Sequence, residues 1–99
     1  MTPVRFLASA REDIRREKAH YRDIQPELAR RLQIAIEQAV ELLAEQPLAM
    51  QEREFGIRCW PLETFPHGLL YRVEGDLVLV LALFHPSQAP DRWRDRVRT

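Results

Sequence analysis

The chain has 99 residues, 45% of them hydrophobic and 30% charged, with fifteen Lys and Arg against fifteen Asp and Glu. That length suits one domain, residues 1–99, with one core and little volume left for a deep substrate cavity. The charge is balanced within each half, 8 against 8 before Gln51 and 7 against 7 from there on. The basic excess expected of a nucleic-acid binder is therefore missing, which leaves room only for a local basic patch.

In chain order, Val4 to Leu7 reads as a short strand, with Pro3 tolerated at its start. Ser9-Ala10-Arg11-Glu12 has the form of a capping box, which predicts a helix from there to about Arg22. Ala10, Ile14 and Tyr21 share its one apolar face. Pro26 suits a first helical turn and predicts a second helix from Pro26 to Glu45. Leu28, Leu32, Ala35, Ile36, Ala39, Leu42 and Leu43 form its core stripe. Ile34 lies off that stripe, either as a partner contact or as an ordinary lone surface residue. Glu37, Glu41 and Glu45 stack on the opposite side as a solvated ridge.

After a polar loop the period changes to two. Phe55, Ile57 and Cys59 alternate with Gly56, Arg58 and Trp60, predicting a strand. Leu69 to Val73 is the next strand, followed by a turn at Glu74-Gly75 and a last strand from Leu77 to His85. The unbroken apolar run of that strand implies cover on both faces and a central place in the sheet. After Pro86 the chain turns polar, and a last helical turn is expected at Asp91 to Arg98. The predicted fold class is α+β, in the order β-α-α-β-β-β, with an N-terminal helical hairpin packed on a twisted antiparallel sheet.

Cys59 is the only cysteine, so an intramolecular disulfide or a cysteine-based metal cluster is excluded, and its simplest role is that of a half-buried hydrophobe on a strand. Met1 to Arg5 lacks a signal-peptide layout. The longest apolar run, Leu77 to Phe84, is far short of the ~20 residues that span a bilayer. A cytoplasmic protein without membrane contact is expected. No phosphate loop, His-x-x-x-His pair or nucleophile elbow is present, and neither a metal nor a cofactor is expected.

The remaining candidates lie in the C-terminal half. Arg58, Arg72, His85, Trp93 and Arg96 are candidates for gripping a target. Metal-free RNA cleavage would need a base, an acid and cations, which His85, His67, Tyr71, Arg58 and Arg72 could supply. The alternative is structural: Tyr71 and Trp93 pack, and the arginines pair with Glu63, Glu74, Asp91 and Asp95. The local balance of charge favours this alternative.

Several segments, taken in order, resemble the RelE/ParE superfamily of toxins from type II toxin–antitoxin modules, in its ParE-like branch. They are Ala8-Ser9-Ala10 with Asp13-Ile14, the tyrosine-ended first helix, Pro26 to Arg31, Gly56-Ile57-Arg58, Phe65 to Val73, Val80 to His85, and Pro90 to Arg96. The resemblance implies an antitoxin encoded beside the toxin and wrapped around its sheet and helices. Phe6, Ile34 and Val40 are the candidate antitoxin contacts, together with the sheet edge at Val4 to Leu7. It also implies one of two targets, DNA gyrase or messenger RNA on the ribosome, and leaves open a homodimer or a toxin–antitoxin hetero-oligomer. Ser87-Gln88 stands where this branch commonly carries two arginines, and His67 where a tyrosine often follows Phe-Pro. With zero net charge, these departures favour a gyrase-binding protein over a nuclease. The alternatives are a ribosome-dependent RNase and a non-toxic module that binds its antitoxin and helps occupy an operator.

Overall fold

A computed structural model of the chain describes residues 1–87. Strand β1 (Val4–Phe6) leads into helix α1 (Ala8–Ile24) and helix α2 (Pro26–Glu45), followed by strands β2 (Ile57–Pro61), β3 (Gly68–Glu74) and β4 (Leu77–Phe84). The strands form one sheet in the order β1-β4-β3-β2. β4 is flanked on both sides, as its apolar run implies. The sheet is mixed rather than wholly antiparallel. β2, β3 and β4 are antiparallel neighbours, whereas β1 joins β4 in parallel, with Val4 opposite Val78 and Phe6 opposite Val80. The helical hairpin is the crossover that makes this possible, because it carries the chain over one face between β1 and the rest of the sheet.

α2 has the predicted bounds. Gln25 is extended between the two helices; its N–H donates to the Tyr21 carbonyl at 2.8 Å, and its own carbonyl accepts from Leu28 at 2.9 Å. One residue thus ends α1 and starts α2, with Pro26 preset for the first turn. Leu32, Ala35, Ile36, Ala39 and Leu43 are buried, and Ala29 and Ala44 join them. Leu42 does not. It is 48% exposed, because it points about 100° round the helix from Leu43, toward the open groove between α2 and β2.

The expected capping box at Ser9 does not form. α1 begins one residue earlier, and the Leu7 carbonyl accepts from Ala10 and Arg11 at 3.0 and 3.1 Å. Ser9 is already inside the helix and donates to the Leu81 carbonyl of β4 at 3.3 Å, while Glu12 pairs with Arg15. α1 also continues past Arg22 to Ile24. Phe55 is not part of β2. It has φ 62° and is followed by Gly56 at φ 71°, a left-handed pair in a short 3-10 turn that delays the strand to Ile57. The turn between β3 and β4 falls one residue later than read: Glu74 is still in β3, paired with Leu77, and Gly75-Asp76 make the turn, with Gly75 at φ 59°. The expected helical turn at Asp91 to Arg98 lies outside the described residues.

A bulge in β4 decides which side chains face the helices. Leu70 pairs with Ala82 and Tyr71 with Val80, so Leu81 is the extra residue. Val78, Val80 and Leu83 therefore join the helix-facing core, and Leu81 and Ala82 both fall in the smaller cluster on the opposite face with Ile57 and Leu70. Without the extra residue, strict alternation would have placed Leu83 on the far face.

Candidate functional site

The bulge releases polar backbone groups, and α1 takes them up. Ser9 binds the Leu81 carbonyl, and the Leu83 N–H donates to the Asp13 carboxylate at 3.2 Å. Asp13 is 4% exposed, and its other oxygen lies 2.7 Å from Arg16. One turn further on, Glu17 reaches His67, which follows the loop from β2. Asp13, Glu17 and Tyr21 thus form an i, i+4 line on the buried side of α1. Neither acid is among the site candidates drawn from the sequence, where Asp13 figures only in a segment of the family resemblance. Their signal was their spacing from Ile14 and Tyr21, which places them beside the apolar stripe.

His67 is 1% exposed, and its Nε2 is 2.7 Å from Glu17 Oε1. Because the carboxylate only accepts, Nε2 carries the proton. Nδ1 is buried and has no hydrogen-bond partner. Burial pushes the imidazole below its ordinary pKa of 6.5, against the opposing pull of Glu17. The ring lies edge-on to His85 with centroids 4.8 Å apart, and Tyr21 contacts it at 6.0 Å. His85 Nδ1 accepts from the Ser87 N–H at 3.0 Å, so the proton of the neutral ring sits on Nε2. His85 and Ser87 line a surface depression with Arg16, His20 and Tyr21.

The other sequence candidates do not gather there. Tyr71 is fully buried, and its hydroxyl donates to the Pro47 carbonyl at 2.9 Å; burial pushes its pKa up. Arg58 lies opposite Tyr71 in the β2–β3 register and donates to the Met50 carbonyl. Arg72, the next residue along β3, pairs with Glu74 at 2.6 Å. Because successive strand residues face opposite sides, Arg58 lies on the helix side of the sheet and Arg72 on the other. His67 and His85 flank the Gly68–Phe84 pair, some 13 Å along the strands from Arg72. Trp93 and Arg96 lie outside the described residues. Cys59 is half-buried on β2, and burial pushes its thiol pKa up. Among the described residues, no group of three or more His, Cys, Asp or Glu side chains is placed to hold a metal ion. No helix among them is long and apolar enough to cross a membrane.

The candidate partner contacts are on the hairpin and the sheet edge. β1 is an edge strand, and Phe6 and Val40 line one groove with Ile14, Ile36, Glu37 and Glu41. Ile34 is 38% exposed on α2. A second groove lies between α2 and β2, with Ala39, Leu42, Trp60 and Pro61 along it and Glu41 and Glu63 at its rim.

A family model described as the ParE toxin of the type II toxin–antitoxin system parDE matches residues 4–90. The chain is similar to a solved chain of the chromosomal ParDE toxin–antitoxin system from P. aeruginosa, with TM-score 0.76 and 25% identity, covering 86% of this chain and 96% of that one. It is also similar to a chain of the RelBE2 toxin–antitoxin complex from Mycobacterium tuberculosis, with TM-score 0.57 and 27% identity, covering 85% of this chain and 96% of that one. A search of curated proteins found no match. With the family match running through both helices and all four strands, this chain belongs to the ParE toxin family of type II toxin–antitoxin systems.

Proposed function

We propose that this protein is the toxin of a type II pair, held inactive by an antitoxin encoded beside it, and that it acts in the cytoplasm by binding DNA gyrase. The observation that carries a protein target over RNA is the placement of the two internal arginines. Arg58 and Arg72 face opposite sides of the sheet, one held by the Met50 carbonyl and the other by Glu74. Two cations arranged in this way do not converge on one phosphate, and phosphate recognition depends on converging cations. The balanced charge of the chain, fifteen against fifteen, supports the same reading. The antitoxin covers the groove at Phe6 and Val40 and the outward face of α2 at Ile34.

The test is a supercoiling assay with purified gyrase and the purified chain at micromolar concentration. Loss of supercoiling, relieved by adding the antitoxin, is the expected result. Unimpaired supercoiling by folded protein would remove gyrase as the target. A second reading, ribosome-dependent RNA cleavage, draws support from the His67–His85 ring contact beside Tyr21. It requires codon-biased cuts in translated messages that disappear in His85→Ala.

A further inference from the structure

The outer face of α2 is electrostatically unbalanced. Glu37, Glu41 and Glu45 are all exposed, and no ion pair among the described residues involves any of them. They stand at i, i+4 and i+8, where like charges repel. Glu41 and Glu45 also fall in the closing turns of α2, where the helix dipole is negative and the sequence provides no basic residue in the last turn. In contrast, Glu27 in the first turn is paired with Arg30. Among the described residues the ridge therefore carries three unpaired negative charges, and the last of them, Glu45, stands in the final turn, where the helix dipole disfavours an anion.

A groove of mixed apolar and polar lining runs along each flank of this ridge. One contains Phe6, Ile36 and Val40, and the other Ala39, Leu42 and Trp60. Glu41 lines both. A segment passing over the helix from one groove to the other follows roughly half its circumference, about 16–19 Å, a span that about five extended residues cover.

We infer that the outer face of α2 is a saddle for a single segment of the antitoxin, in which a short run of Arg or Lys crosses Glu37, Glu41 and Glu45 between two apolar anchors, one in each groove. This rests on the reading of the partner as an antitoxin. The cations relieve the repulsion along the ridge and complete the C-terminal end of α2, while the anchors bury Val40 and Phe6 on one side and Leu42 and Trp60 on the other. Charge sets the register of the segment, and apolar burial holds it in place.

Two probes separate this inference from the reading beneath it. The first is a synthetic peptide with two leucine pairs flanking four arginines, compared with a twin carrying four glutamates in their place. The full chain should bind the arginine peptide at least tenfold more tightly, with the preference fading as salt rises, and Glu37→Gln/Glu41→Gln should abolish it. Equal binding of the twins, binding of neither, or a preference untouched by salt overturns the inference, and the salt series needs no variant. The second probe is the purified protein from the adjoining reading frame. If the wild-type chain fails to bind it, the antitoxin reading fails whatever the peptides show. If the wild type binds it and the double variant binds equally well, the ridge is not its docking site.

Discussion

Glu17 and His67 lie fifty positions apart in sequence, yet the carboxylate of one accepts from the imidazole of the other at 2.7 Å. The contact ties the loop between β2 and β3 to α1, and the fully sequestered ring makes it sensitive to protonation. Tyr21 from α1 and His85 from the end of β4 also face the ring. Protonation would put a charge beside His85 and leave the new Nδ1–H without an acceptor.

That arrangement fixes the direction of a pH effect. The folded pKa of His67 lies below its ordinary 6.5 because burial outweighs Glu17. The folded state therefore prefers the neutral ring. Its contribution to stability is present above pH 6.5 and is lost as pH falls through the folded value. Urea denaturation should show the wild type losing stability on that descent, with a shallower loss in His67→Gln. Glu17→Gln removes the group that raises the pKa, so the His67 ring should titrate lower still by NMR. Titration above 6.5 in the wild type would contradict the burial argument.

Asp13 supports the β4 bulge. Replacing it with Ala leaves the buried Leu83 N–H without its carboxylate acceptor, which costs about 1–3 kcal/mol. Asp13→Asn keeps an acceptor oxygen and should recover part of that loss. Chemical denaturation of the two variants checks the order. Equal stability of wild type and Asp13→Ala would show that the bulge does not depend on this contact.

Gly68 starts β3 where the chain has no room for a side chain. A Cβ there would sit 2.4 Å from Cys59 Sγ, an impossible approach. Gly68→Ala should therefore destabilise by about 1–3 kcal/mol. Adding Cys59→Ala removes the obstructing sulfur, and the double variant should regain at least half of the loss. A double-mutant cycle of thermal melts measures the coupling, and strictly additive effects would rule out the clash as the cause.

Ile34 provides a surface test. It is 38% exposed on α2, so Ile34→Asp should change folding stability by no more than about 0.5 kcal/mol. Antitoxin affinity should fall by tenfold or more in the same variant, as measured by calorimetry. Unchanged affinity would take Ile34 out of the contact surface.

Local signals in the sequence were enough to place most elements. Pro26 and the 3.6-residue stripe gave the bounds of α2, because helix hydrogen bonds and caps connect residues four or fewer apart. The period of two located β2, β3 and β4, and the apolar run of β4 implied its place between two neighbours. Ile34 and the glutamate ridge were legible as exposed, since they lie opposite the core stripe on the same wheel.

Only the tertiary structure could decide the rest, because each remaining feature depends on a partner distant in the chain. The Ser9 cap failed because a β4 carbonyl seventy-two positions away competes for the hydroxyl. The parallel pairing of β1 depends on where the hairpin returns the chain. The burial of Asp13 and His67 depends on a bulge and on a loop that no periodicity marks. The candidate site follows the same division. Residue types suggested that Arg58, Arg72, Tyr71, His67 and His85 could act together, but pleat parity and the register of β2 against β3 set the two arginines on opposite faces. A sequence specifies side chains one at a time, whereas their convergence is fixed by the pairing of strands, which is a property of the whole sheet.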